Sequence, residues 1–206
     1  MGRPVYKRPG SLEEAIGILG GRPWTLLAGG TDLMVRMKDG ALRPEGLLDL
    51  TGLRELRSIE INGGDLVIGA LATHSEIERS DLVVRHAAAL ARAVSLIGSP
   101  QIRNRGTLGG NLANASPAAD TVPPLFVLDA QVCLAGPGGE RRVPVTEFAK
   151  GPGSTVRGQD EIITAVRVPV HPGGFQSSFV RLGARKALAV AKLSVAFGAG
   201  RAADGR

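Results

Sequence analysis

Glycine and proline cut this sequence into short pieces, and that limits what it can fold into. Glycine supplies 29 of the 206 residues and proline 13; the glycine share is about twice the usual one. Strand-like runs do not alternate regularly with helices of about ten or more residues, the pattern a doubly wound parallel sheet requires. The expectation is an α+β fold of short, mixed elements.

The readable elements follow from local chemistry. Val5–Arg8 is a short extended segment. Ser11 followed by Glu14 forms a capping box that opens a helix, which Gly20-Gly21 closes. Trp24–Ala28 reads as a strand, Gly29-Gly30 as a turn, and Thr31–Lys38 as a helix. Leu47–Leu50 is another strand, and Asn62–Asp65 sits between Ser58–Ile61 and Leu66–Ala70 as the turn of a hairpin. Thr73 and Glu76 make a second capping box. Leu82 to Leu96 carries apolar residues at helical spacing and predicts one helix ending before Pro100. Ala118–Leu128 again reads as helical. Val132–Leu134, Arg142–Val145, Ile162–Val168 and Phe175–Leu182 read as strands, with turns at Gly136–Gly139 and His171–Gly174.

Several function classes are excluded or disfavoured. No apolar run reaches the ~20 residues of a membrane span, and Met1–Gly10 lacks the apolar centre of a signal peptide. The single cysteine, Cys133, rules out an internal disulfide framework or a self-contained cysteine-ligated cluster. There is no P-loop, no G-x-G-x-x-G, no His-Glu-x-x-His and no G-x-S-x-G. His74, His86 and His171 read as a cap neighbour, a helix residue and a turn residue. The net charge of +6 is mostly arginine over a chain only 3% aromatic. That leaves little to stack on nucleic-acid bases, so no nucleic-acid partner is expected.

Two glycine-rich segments remain. Leu26-Leu27-Ala28-Gly29-Gly30-Thr31-Asp32-Leu33 lies between a strand and a helix. It reads either as a tight turn capped by Thr31 or Asp32, or as a place where backbone approaches a phosphate at a helix start. Gln101 to Ala119 shows no periodicity and is dense in Gly, Asn, Arg, Ser and Thr. It reads as a long loop, functional or mobile, rich enough in donors to wrap a diphosphate. Phosphate-cradling groups with no evident acid, base or nucleophile suit a cofactor that carries the chemistry itself. No catalytic side chain and no metal site is assigned.

These residues carry a resemblance. Ala28–Met34 and Ser99–Asp120, with its core Thr107-Leu108-Gly109-Gly110-Asn111, resemble the FAD-binding medium subunit of the molybdenum hydroxylases, the carbon monoxide and xanthine dehydrogenase family. The resemblance runs from about Val5 to the C-terminus. It implies an FAD-binding domain over residues 1–172, in subdomains of about 1–55 and 56–172. Residues 173–206 are then the beginning of a C-terminal α+β domain that is expected to be incomplete.

By resemblance, Leu26, Leu27, Ala28, Gly29, Gly30, Thr31, Asp32 and Leu33 hold the FAD diphosphate together with Thr107, Leu108, Gly109, Gly110 and Asn111. Asp120 lies near the adenosine end, and Ile163 and Arg181 lie near the isoalloxazine, where the family usually has lysine in place of Arg181. The implied activity is that of an oxidoreductase subunit in the cytoplasm. Electrons reach FAD from a small [2Fe–2S] partner fed by a large molybdopterin partner, in a heterotrimer that can be doubled. They leave to NAD, a quinone or another acceptor. The rival reading is a flavin-depleted, non-catalytic assembly subunit of the same complex.

Overall fold

A computed structural model describes residues 4–171, 173–185 and 190–200. The expected features at Pro172, Ala187–Ala189 and Arg201–Arg206 lie outside the described residues. The chain opens with β1 (Val5–Lys7), α1 (Leu12–Leu19), β2 (Thr25–Leu27), α2 (Leu33–Lys38) and β3 (Gly46–Asp49), followed by two 3-10 turns at Leu50–Gly52 and Arg54–Arg57. The three strands form a parallel sheet in the order β1-β3-β2. The central strand β3 is buried along its whole length, as a parallel strand covered on both faces must be. Ala15 and Leu19 of α1 pack on Leu48, Leu50 and Leu53 in a small core, which Leu71 and Ile162 complete from the later part of the chain.

The second sheet is antiparallel and five-stranded, in the order β4-β5-β10-β6-β7. Its strands are β4 (Ile59–Asn62), β5 (Asp65–Gly69), β6 (Gln131–Gly136), β7 (Gly139–Pro144) and β10 (Ile162–Pro169). Between β5 and β6 run α3 (His74–Arg79), α4 (Asp81–His86), α5 (Ala88–Ser95), α6 (Pro100–Arg103), α7 (Leu108–Asn114) and α8 (Val122–Val127). After β7 come α9 (Val145–Phe148) and the small pair β8 (Ala149–Gly151) and β9 (Ser154–Thr155). Leu66, Ile68, Leu134, Val166 and Val168 from the sheet meet Ile77, Leu90, Val94, Leu108 and Leu125 from the helices in the main core.

Two expectations are corrected. The apolar run Leu82–Leu96 is two helices, broken at Ala87, whose φ of −144° and ψ of 48° leave the helical region. The turn redirects α5 so that Ala89 and Ala93 receive Phe179, from far along the chain, in a small third core. Packing of that kind overrides a periodic pattern. The segment Gln101–Ala119 is also not one long loop, because it holds α6 and α7. Ser99 caps α6 with Pro100 at its first position, and Thr107 caps α7 by accepting from the Gly110 N–H.

The chain ends in a two-stranded antiparallel ribbon of β11 (Gln176–Gly183) and β12 (Ala191–Ala199). Phe179 and Arg181 point from its inner face. Arg181 donates to Asp120 Oδ2 at 2.5 Å, and both side chains are more than nine-tenths buried. The outer face pairs Val180 with Val195, Leu182 with Leu193, and Ser178 with Phe197; its apolar members are all more than half exposed. Burial holds the Asp120 carboxyl above the usual carboxylate range despite the pull of Arg181. Removing one partner of such a pair strands the other charge in the interior. Arg181→Met is therefore expected to undock the ribbon. Amides of β11 and β12 should then exchange with solvent faster while those of β5, β6 and β10 keep their protection, which hydrogen exchange followed by mass spectrometry checks.

Candidate functional site

A cleft of about 450 Å³ opens between the two larger cores, within the size range of small-molecule sites. Three stretches of backbone build its floor. Gly106 accepts from the His74 N–H, while Leu108 and Gly109 donate to the carbonyls of Ala72 and Ala70, so 105–109 is zipped to 70–74. Gly29 sits on this zipper so closely that a Cβ there would stand 1.9 Å from the Arg105 carbonyl oxygen. A Cβ on Gly109 would stand 2.7 Å from that of Ala70. Both glycines are required by close packing, Gly29 against the Arg105 carbonyl and Gly109 against Ala70.

The donor inventory of the two glycine segments differs. In the second, every early N–H of α7 is already engaged: Leu108 and Gly109 as above, Gly110 to Thr107 Oγ1 and Asn111 to the Thr107 carbonyl. The N–H groups of 108–111 are thus bonded within the protein. What the segment offers is side-chain donors. Asn111 accepts from the Thr121 hydroxyl through Oδ1 at 2.6 Å, which leaves its amide NH₂ for a ligand. In the first segment the N–H groups of Gly30, Thr31, Asp32 and Leu33 have no acceptor among the described residues. Gly30 has φ of +74°, the backbone turn that lets successive N–H groups converge on an anion.

Leu26, Ala28, Gly29, Gly30, Thr31, Asp32, Leu33, Thr107, Gly109, Gly110, Asn111 and Ile163 all border the cleft. Leu27 lies behind its lining, and Leu108 is fully buried in the main core. Asp120 and Arg181 lie off the lining and touch each other. In this structure the two form one paired feature.

Sequence reasoning missed several walls. Trp24 borders the cleft with Arg22 stacked 4.4 Å from its ring. Arg157 donates to the carbonyls of Gly158 at 2.8 Å and Glu161 at 2.7 Å, and burial lowers its pKa. His74 borders the cleft and is 3% exposed. Only Trp24 carried a signal, its place beside the first glycine segment. Among the described residues no group of three or more His, Cys, Asp or Glu side chains is placed to hold a metal ion, and no helix is long and apolar enough to cross a membrane.

The sequence matches the family described as the FAD binding domain in molybdopterin dehydrogenase over residues 2–171. The chain belongs to this family. Its cofactor is FAD, and the chemistry of the cleft fits that group: it has free N–H groups at a glycine turn, and it has uncommitted amide and hydroxyl donors. The FAD-binding domain is similar to the nicotinate dehydrogenase FAD-subunit of Eubacterium barkeri, 39% identical over 88% of this chain and 64% of that one. The carbon monoxide dehydrogenase medium chain of Hydrogenophaga pseudoflava is 36% identical over 86% of this chain and 62% of its own length. The chain thus spans a little under two thirds of these relatives. Among solved structures, reconstituted CO dehydrogenase from Oligotropha carboxidovorans superposes with a TM-score of 0.92 at 34% identity, covering 98% of this chain and 71% of that one.

Two outcomes test the site. Gly29→Ala should cost about 1–3 kcal/mol or more, since backbone carbonyl cannot retreat as a side chain can; urea unfolding of the variant checks it. The second concerns the turn carrying Arg157. Two bonds from Arg141 hold the Glu161 carboxyl below its ordinary 4.5, and the Gly158 N–H adds to them. A lowered native pKa stabilises above about pH 4.5 and is lost as pH falls through the native value. Asp120, raised by burial, has the opposite slope. Glu161→Gln should therefore flatten the acid loss of thermal stability relative to the unchanged chain.

Proposed function

We propose that this chain is the FAD-binding, electron-transferring subunit of a molybdenum hydroxylase in the cytoplasm. The observation that carries this reading is the set of free N–H groups from Gly30 to Leu33, facing a cleft in a domain of the FAD-binding family. Those N–H groups hold the diphosphate. Asn111 adds its amide and Thr107 and Thr31 their hydroxyls, all bordering the same cleft. Ile163, bordering the cleft at 6% exposure, gives the isoalloxazine an apolar wall. Arg157, pinned to its own turn, places a fixed positive charge at the wall. When bound, FAD supplies two-electron chemistry coupled to one-electron donors.

The partners in this reading are a small subunit with [2Fe–2S] clusters and a large molybdopterin subunit; supporting it, the relatives include a carbon monoxide dehydrogenase medium chain and a nicotine 6-hydroxylase medium subunit, names that imply other subunits. NAD, a quinone or another carrier takes the electrons onward. We assign residues 1–172 to the FAD-binding part, in subdomains of about 1–55 and 56–172, and residues from 173 to the start of a second domain. Two observations support that boundary: the family match stops at 171, and the β11–β12 ribbon has a bare apolar outer face.

The test is a titration of the purified chain with FAD. Saturable binding at one flavin per chain, with quenched flavin fluorescence, is expected. A chain that neither quenches flavin nor gives a binding heat, alone or co-expressed with both partner subunits, would falsify the assignment.

A further inference from the structure

Resting on the FAD reading of the cleft, the buried imidazole of His74 shows an unmet hydrogen-bonding need. His74 is the first residue of α3, inside the capping box in which Thr73 and Glu76 bond each other reciprocally. Its backbone N–H is tied to the Gly106 carbonyl, so the residue is fixed at the junction of the backbone zipper. The side chain is 3% exposed and borders the cleft. Neither ring nitrogen has a partner among the described residues, and Nδ1 is sealed from solvent. The Nε2 edge lies beside Gly106, where a Cβ would stand 3.3 Å from it.

Those facts set the tautomer. An unpaired buried N–H costs more than an unpaired lone pair. The sealed Nδ1 therefore holds the lone pair, and the proton sits on Nε2. Burial, helped by the nearby Arg103, lowers the imidazole pKa to about 4, so the ring is neutral near pH 7. We propose that His74 is an FAD-binding residue whose neutral Nε2–H donates to an acceptor oxygen of the cofactor. No described residue accepts from Nε2–H, and an acceptor oxygen of the cofactor in the cleft would.

A ligand-facing role and a packing role differ in what a substitution does. His74→Phe keeps a flat ring and removes both nitrogens; His74→Gln restores an N–H at the reach of Nε2. FAD titration of each purified chain is read beside its thermal midpoint without FAD. The expected result is about tenfold weaker FAD binding for the Phe variant, the net worth of one hydrogen bond. Its ligand-free midpoint should be equal or higher, and the Gln variant should recover most of the affinity. If the Phe variant folds poorly, His74→Met, matched to Gln in length but without a donor, replaces it. Equal affinity for the chain with and without the donor overturns the proposal, as does a loss that Gln fails to recover. If the unsubstituted chain takes up no FAD, the failure belongs to the proposed function instead.

Discussion

Everything at the site depends on how closely Gly29 can approach the Arg105 carbonyl. The parallel sheet and the antiparallel sheet each have a core, and Leu71 and Ile162 are where the later part of the chain enters the first. At the cleft floor backbone meets backbone: Gly29 lies against Arg105 and Gly106, and 106–109 is bonded in turn to 70–74. A single methyl at position 29 would separate the first segment from the zipper. The free N–H groups of Gly30–Leu33 would then no longer stand opposite Asn111 and Thr107. The glycines act chiefly through this spacing, and only Gly30, through its positive φ, serves the anion turn directly.

Charge is handled in two ways around the cleft. At the Arg157 turn, carbonyls and Glu161 hold guanidinium groups in set positions near solvent. At Asp120–Arg181 a pair is taken almost wholly out of water, which is costly unless every lone pair is met. Asp120 Oδ1 has no partner. That imbalance agrees with a carboxyl whose pKa burial raises. It also gives the ribbon an attachment that depends on both partners being present.

Much of the fold was legible because it is local. Thr73 and Glu76 close the capping box that their spacing announces, and Asn62–Asp65 turns the hairpin with Gly63 and Gly64 at positive φ. The α+β class followed from short elements, and the FAD cofactor from the family resemblance that the two glycine segments carry. What could not be read was long-range. Ala87 breaks a helix because Phe179, far along the chain, needs the space beside Ala89 and Ala93. Gly109 looks like a ligand-facing glycine until Ala70 is seen against it. His74 and Arg157 have no motif, since a wall residue needs only the right place in space.

The β11–β12 ribbon has a consequence for the chain as a material. Two strands present one bare apolar face, and β11 and β12 pair only with each other among the described residues. Unpaired strand edges and uncovered apolar plates are templates for further strands. In dilute solution such a surface is tolerated, because nothing meets it. As concentration rises, the same ribbon makes self-association the cheapest way to hide Val180, Leu182, Leu193, Val195 and Phe197 from water. None of these five side chains borders the cleft.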